Sequence, residues 1–219
     1  MLPPFMKILH RTSCAVLGVW LLSAAALQAG EAAPAKEAKP TAATTFSDGV
    51  DAPHFEFAAE SAYLLSIAGN PNNYEVGSQF FTGRLRWGVN DNDESFFRGY
   101  TQVYGLAMVE PIFRGPENHY FGISLGLRKV FVRPNSRFQF YTSAGVGLGW
   151  IDSTDEFRQG QGQDFTFNIL SAGGLEYRVN DRFKVQAGVL YQHLSNAGQT
   201  DPNPSLNLLG PQVGATFSF

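Results

Sequence analysis

A histidine and a serine stand two residues apart in the segment HLSNAGQTDPN, which runs from His193 to Asn203. They follow a stretch of alternating apolar and polar residues, which is typical of a β-strand. Residues i and i+2 of a strand point to the same face, so His193 and Ser195 should be neighbours. A histidine beside a serine can take its proton, the minimum requirement for an activated serine nucleophile. We therefore take Ser195 as a candidate nucleophile and His193 as its base.

Residues 1–29 have the pattern of a secretory signal peptide. Lys7 and Arg11 precede an apolar run from Cys14 to Leu27, and the small-residue segment LQAG follows. The run is shorter than the roughly 20 apolar residues of a membrane span, so we expect cleavage after Ala29 rather than an uncleaved anchor. Residues 30–53, rich in Ala, Pro and Lys, are then a flexible periplasmic tail, and residues 54–219 one barrel domain.

Composition argues against several function classes. The only cysteine is Cys14, inside the predicted signal peptide, so the mature chain has no disulfide or thiolate metal site. The four histidines show no metal-ligand spacing, and we expect no metal and no cofactor. The chain carries 16 basic and 19 acidic residues, and loss of the signal peptide leaves it still more acidic. This charge balance and the absence of a basic patch argue against nucleic acid as a partner.

Eight segments show period-two patterning, and several exceed the usual strand length of about 5 to 6 residues. Crossing a bilayer at a tilt takes about 9 to 11 residues, which these segments supply. Only a closed barrel leaves no unpaired strand edge in lipid, so the pattern predicts an all-β, eight-stranded antiparallel transmembrane β-barrel. The segments are Phe55–Ile67, Ser78–Val89, Gly99–Pro111, Tyr120–Val132, Arg137–Ile151, Phe165–Arg178, Arg182–His193 and Leu206–Phe219.

The last segment indicates the bacterial outer membrane. Val213, Ala215, Phe217 and Phe219 fall on one face, and the chain ends on an aromatic residue. This ending resembles the signal by which outer-membrane barrels are recognised, so we expect the barrel-assembly machinery as a partner through Phe219. The alternative, a soluble lipocalin-like barrel, would turn its apolar residues inward.

The predicted connections set the orientation. Short turns and both termini belong on the periplasmic side, which places the His193 segment near the outer leaflet, where lipopolysaccharide lies. Val185, Val189 and Tyr191 share the parity of His193 and Ser195, so these two should face lipid, as should Asn207 on the last strand. Polar groups facing hydrocarbon are costly and call for a functional explanation. The charges that we expect to line the lumen or the rims are Arg84, Arg86, Arg128 and Lys129.

The segment resembles the PagL-type lipid A 3-O-deacylases, outer-membrane barrels that remove one ester-linked acyl chain from lipid A. The matching residues are His193, Ser195, Asn196, Ala197, Gly198, Pro202 and Asn203. The resemblance implies a serine esterase acting on lipid A, with Ser195 as nucleophile and His193 as base. It also implies that Asn196, Gly198 and Asn203 donate to the oxyanion or shape the site.

One position departs from the family. Its best-known members carry a glutamate twelve residues after the serine, where this chain has Asn207. An asparagine carbonyl can accept a hydrogen bond from the histidine ring and fix its tautomer, as in Cys-His-Asn proteases. We expect Asn207 to orient His193; an acid from elsewhere, such as Asp201, and loss of activity are the alternatives.

Two other functions compete with deacylation. A non-catalytic structural or adhesion barrel would leave lipid A unchanged, and a phospholipase would release fatty acid from glycerophospholipids. Transport is disfavoured because side chains fill the interior of an eight-stranded barrel.

Overall fold

The structure is a computed structural model that describes residues 49–50, 55–67, 73–153 and 160–219. The predicted signal peptide, and all of the predicted tail except Gly49 and Val50, lie outside the described residues.

Eight antiparallel strands form a closed barrel, in which each strand pairs with its sequence neighbours and β1 pairs with β8. The prediction of an all-β, eight-stranded barrel is confirmed. The strands are β1 (Phe55–Ser66), β2 (Glu75–Asn90), β3 (Gly99–Arg114), β4 (His119–Val132), β5 (Phe138–Ile151), β6 (Phe165–Arg178), β7 (Phe183–Ser195) and β8 (Leu206–Ser218). The described part of the chain has no helix able to cross a membrane.

The strands extend further than the sequence pattern predicts at one end of the barrel. β2 begins at Glu75 instead of Ser78, β3 continues to Arg114 instead of Pro111, and β7 to Ser195 instead of His193. These extensions mix charged, polar and apolar residues, and their backbones continue the inter-strand pairing. They all lie at the end that carries the connections β1–β2, β3–β4, β5–β6 and β7–β8, which we call the loop end. The opposite end, with the other three connections and the last strand's terminus, is the turn end.

Side chains alternate between an apolar exterior and an interior that is charged and polar towards the turn end and largely apolar towards the loop end. On β7, Lys184, Gln186 and Gln192 are buried, whereas Val185 and Val189 are exposed. The exterior carries exposed Phe, Leu, Ile, Val and Trp on every strand. A soluble lipocalin-like barrel would have the opposite arrangement, so this surface is one made for lipid.

Buried ion pairs join the strands across the interior. Glu60 on β1 and Arg84 on β2 pair at 2.7 Å, and Arg128 on β4 pairs with Glu176 on β6 at 2.9 Å. Lys184 on β7 contacts Glu176 at 3.1 Å, and it also pairs with Glu56 on β1. Each pair links different strands, so opposite charges fill the part of the lumen towards the turn end, and buried apolar side chains fill the part towards the loop end.

The two described residues before β1 also contact this interior. The guanidinium of Arg86 donates to the carbonyl oxygens of Gly49 and Val50, and it stacks 3.7 Å from the ring centroid of Tyr100. Val50 is buried in an apolar cluster at the turn end. These two residues of the predicted tail are therefore part of the barrel's packing.

Lys129 faces outwards, unlike the three arginines that were grouped with it by charge. Arg84, Arg86 and Arg128 are buried inside the barrel, as expected. Lys129 follows Arg128 directly and has the opposite parity, on the outward face with Leu127 and Phe131. Lys129 therefore does not line the lumen: it lies on the outer surface three residues before the turn end of β4, because the period-two alternation of the strand continues unbroken through this charge.

The interior network gives a prediction about stability. Glu60 accepts hydrogen bonds from Arg84, Thr82 and Gln186, so Glu60→Leu leaves the buried Arg84 without its carboxylate. We expect a loss of about 3 kcal/mol in the free energy of unfolding, measured by urea unfolding in lipid vesicles.

Replacing both members, Glu60→Leu with Arg84→Leu, should restore much of that stability, because no unpaired charge remains. The control is Glu94→Gln, on an exposed residue of the β2–β3 turn. A Glu60→Leu barrel as stable as the parent would contradict the role given to the network.

Candidate active site

The β7–β8 hairpin places His193 directly opposite Asn207. The two residues are register partners at the loop end, and His193 Nδ1 lies 2.8 Å from Asn207 Oδ1. Both are half-buried on the outward face, between buried Gln192 and Leu194 on β7 and between Leu206 and Leu208 on β8. The predicted outward position of His193, Ser195 and Asn207 agrees with this alternation.

Three hydrogen bonds orient the Asn207 amide. Its Nδ2 donates to the Ser205 carbonyl at 3.2 Å, which directs Oδ1 towards the histidine. The Tyr191 hydroxyl donates to the same Oδ1 at 2.8 Å. Since an amide oxygen only accepts, the ring nitrogen facing it must carry the proton. The arrangement therefore selects the Nδ1–H tautomer of His193 and leaves Nε2 free to accept a proton.

Ser195 is the next outward residue after His193 and the last residue of β7. Its register partner on β6 is Phe167, and that of His193 is Ile169, so apolar side chains lie beside both residues. Within the described residues no hydrogen bond joins the Ser195 hydroxyl to the His193 ring. In unliganded sites such hydrogen bonds are often long and shorten only when substrate binds.

The loop after Ser195 is organised around the buried side chain of Asn196. Its Nδ2 donates to the Thr200 carbonyl at 2.6 Å, and its Oδ1 accepts from the Gly198 N–H at 2.9 Å. The Asn196 backbone N–H donates to Asn203 Oδ1 at 3.1 Å. Gly198 has a φ of 73°, a left-handed conformation that favours glycine.

These contacts show which of the predicted oxyanion donors already donate hydrogen bonds within the loop. The N–H groups of Asn196 and Gly198 donate within the loop, so in this conformation they shape it. Asn203 Nδ2 makes no hydrogen bond to any other described residue, and its amide lies against the backbone nitrogen that follows Ser195. Of the two asparagines, Asn196 already donates its amide N–H within the loop, whereas that of Asn203 has no acceptor among the other described residues.

A second loop supports the first. The backbone N–H of Gly162, in the β5–β6 connection, donates to the Pro202 carbonyl at 2.8 Å. A Cβ at Gly162 would lie 2.6 Å from the Asp201 carbonyl, so only glycine allows this approach. Gln163 contacts Gln199 and Thr200 through its side chain. Asp201 itself is exposed, and among the described residues no hydrogen bond joins it to His193.

No group of three His, Cys, Asp or Glu side chains in the described ranges is arranged to hold an ion.

The family profile of the lipid A 3-O-deacylases (PagL) matches residues 81–216, most of the barrel and all of the candidate site. The chain belongs to this family. Localisation in the bacterial outer membrane follows. Since the periplasmic connections of such barrels are usually the short ones, we expect the turn end in the periplasm and the loop end, which carries His193, Ser195 and Asn207, on the outer side.

Solved structures show the same fold. The crystal structure of the outer membrane enzyme PagL matches with a TM-score of 0.52 and 16% identity, covering 73% of this chain and 97% of that one. Neisserial surface protein A (NspA) matches with a TM-score of 0.56 and 14% identity, covering 75% and 97%. Because an enzyme and a surface protein match equally well, the fold alone does not choose a function. No curated protein matches this chain.

Sequence reasoning missed Tyr191 as a member of the site. Its parity with His193 was visible, but an aromatic residue on the lipid face was counted only as apolar surface. A tyrosine two residues before a candidate base, on the same face, was the available signal.

The contact with Asn207 predicts which ring nitrogen of neutral His193 carries the proton, and NMR spectroscopy can measure this. At alkaline pH, ¹⁵N NMR of the folded barrel should show the His193 ring protonated at Nδ1. Asn207→Leu removes the acceptor, so the two tautomers should mix, whereas the resonances of His119, on β4, should stay unchanged. An unaltered His193 spectrum in Asn207→Leu would contradict the orienting contact.

Proposed function

We propose that this chain is a serine esterase that hydrolyses the ester-linked 3-O acyl chain of lipid A in the outer leaflet. The observation that carries the proposal is the 2.8 Å contact between His193 Nδ1 and Asn207 Oδ1, on the outward face of a member of the deacylase family. It supplies an oriented base, next to Ser195, at the level of the lipid substrate.

The proposed reaction uses two steps. His193 Nε2 takes the proton of Ser195 while the Ser195 oxygen attacks the ester carbonyl, and Asn203 Nδ2 donates to the oxyanion that forms. His193 then returns the proton to the departing sugar hydroxyl. Water, activated by the same histidine, hydrolyses the acyl-enzyme and releases the fatty acid. No metal or cofactor enters this scheme.

Asn207 takes the place of a carboxylate in this scheme. It fixes the tautomer of His193 but carries no charge to stabilise the imidazolium that forms during proton transfer. An ester has a better leaving group than an amide, so the reaction needs less of that stabilisation. Tyr191 helps to hold the Asn207 oxygen in place through its hydroxyl.

Expression of the chain in a bacterium with intact lipid A tests the reaction. We expect a mass loss of one 3-hydroxyacyl group from lipid A, measured by mass spectrometry. Ser195→Ala should lower the rate by about 10³-fold or more, because the nucleophile is removed. The matched control is Ser171→Ala, on another outward-facing serine, which pairs with Tyr191 in register on β6.

The outcome separates the competing functions. A folded parent barrel that leaves lipid A unchanged would support a structural role instead. Fatty acid released from glycerophospholipid, with lipid A intact, would identify a phospholipase.

Substitutions at Asn207 and Tyr191 test whether these two residues orient the ring of His193 for catalysis. Asn207→Ala should lower kcat by roughly 10²-fold or more, and Asn207→Glu should raise it, because a carboxylate stabilises the imidazolium. Tyr191→Phe should lower kcat about fivefold, the value of one neutral hydrogen bond, with KM unchanged.

The double variant separates positioning from general damage. If the Tyr191 hydroxyl acts through Asn207, Tyr191→Phe should have no further effect in the Asn207→Ala background. Equal losses in both backgrounds would show that Tyr191 acts on the barrel in some other way.

A further inference from the structure

Lys129 is a charge on the lipid-facing surface, remote from the candidate active site. Apart from Arg114 at the end of β3, it is the only Lys or Arg on the outward face of the described strands. It lies ten residues from the loop end of β4, about 33 Å along the strand at 3.3 Å per residue. With a tilt of about 40° this is roughly 25 Å along the membrane normal, the height of the apolar band. Lys129 therefore belongs to the periplasmic leaflet.

Lys129 also has no counter-charge in the described part of the chain. The other strand cations are satisfied differently: Arg84, Arg128 and Lys184 pair with buried carboxylates, and Arg114 pairs with Glu75 at the loop end. An unpaired cation beside hydrocarbon is costly unless an anion from outside the chain approaches it.

The surroundings of Lys129 are suited to an anionic headgroup. Its register partners are Thr101 on β3 and Thr142 on β5, so a hydroxyl-bearing residue lies on either side. The ammonium group lies 6.0 Å from the ring centroid of Phe131, the next outward residue towards the periplasm. Arg133 follows two residues later, is exposed, and has no ion pair with another described residue.

Two concavities meet beside these cations. One, of about 460 Å³ at the turn end, is lined by Phe96, Phe131, Arg133, Phe140 and Thr142 among others. The second is lined by Lys129 and Thr142, and it continues over Leu127, Val189 and Leu209 as far as Tyr191 at the candidate active site. In the first concavity Asp93 pairs with Arg98, whereas Arg133 has no ion pair with another described residue. Two cations without a carboxylate partner, Lys129 and Arg133, therefore adjoin apolar surface, the arrangement that a phosphate and an acyl chain require.

We propose that this surface binds a phospholipid of the periplasmic leaflet, with its phosphate at Lys129 and Arg133 and an acyl chain in the groove. The occupant is a phospholipid rather than lipid A, because the phosphates of lipid A lie in the opposite leaflet. A lysine can extend its ammonium towards the interface, and here the ammonium lies 6.0 Å from the ring centroid of Phe131, the outward residue that precedes Arg133. The phosphate end of this site, at Lys129 and Arg133, lies towards the turn end, whereas Ser195 lies at the loop end.

Lipid binding by the purified barrel tests the proposal. The dissociation constant of phosphatidylglycerol is measured in a non-ionic detergent and compared with that of a diacylglycerol with the same acyl chains. Lys129→Met should weaken phosphatidylglycerol binding about tenfold, since one charge-assisted contact is lost, while diacylglycerol binding stays unchanged. Lys129→Arg should bind like the parent.

Arg114→Met is the matched control, because it removes an exposed cation at the loop end and should leave binding unchanged. The gel mobility of each unheated variant verifies that the barrel is folded. Equal affinity of the parent and Lys129→Met, or equal binding of the two lipids by the parent, would overturn the proposal. Displacement of phosphatidylglycerol by purified lipid A would overturn its assignment to the periplasmic leaflet.

Discussion

Hydrocarbon offers the backbone no hydrogen-bonding partner, and the organisation of this protein depends on that constraint. A sheet in lipid must close on itself, and here β1 pairs with β8 to complete the ring. Closure divides every strand into inward and outward positions with a period of two. Charges that would be costly in lipid then collect in the lumen, where Glu60, Arg84, Arg128 and Glu176 satisfy one another. The few polar residues left outside are exceptions that the fold does not require.

Closure of the barrel also holds the candidate site rigid. His193 and Asn207 are held at fixed register on two paired strands, rather than on loops. On the inner side of β7, the neighbouring Gln192 donates to Glu110 of β3 at 2.9 Å, which anchors the strand from behind. The loop that follows Ser195 is braced by Asn196 from within and by Gly162 from the adjacent loop. Contacts inside the barrel and contacts between the loops thus both support the outward-facing side chains of His193 and Ser195.

The alternating pattern made the eight strands and the facing of His193, Ser195 and Asn207 predictable from the sequence. The strand ends at the loop end were less predictable, because pairing continues beyond the apolar band where the pattern has faded. Arg128 and Lys129 are adjacent and cannot both face the lumen, and the period of two places Lys129 outside. The exact pairing of His193 with Asn207 was beyond sequence reasoning, since it depends on a hairpin in which Ala197 and Ser205 adopt left-handed conformations. Alanine and serine rarely adopt a positive φ, which glycine adopts far more readily, so their residue types do not predict this hairpin conformation.

The amide of Asn207 has one property that a carboxylate lacks: it does not ionise. A histidine held by a glutamate loses its partner's charge as the medium becomes acidic, and the strength of their contact changes with it. The contact between His193 and Asn207 has the same acceptor at every pH, because the Asn207 oxygen is held by Tyr191 and its nitrogen by Ser205. At the surface of a cell bathed in acid, the alignment of this pair is therefore insensitive to protonation of its supporting residue.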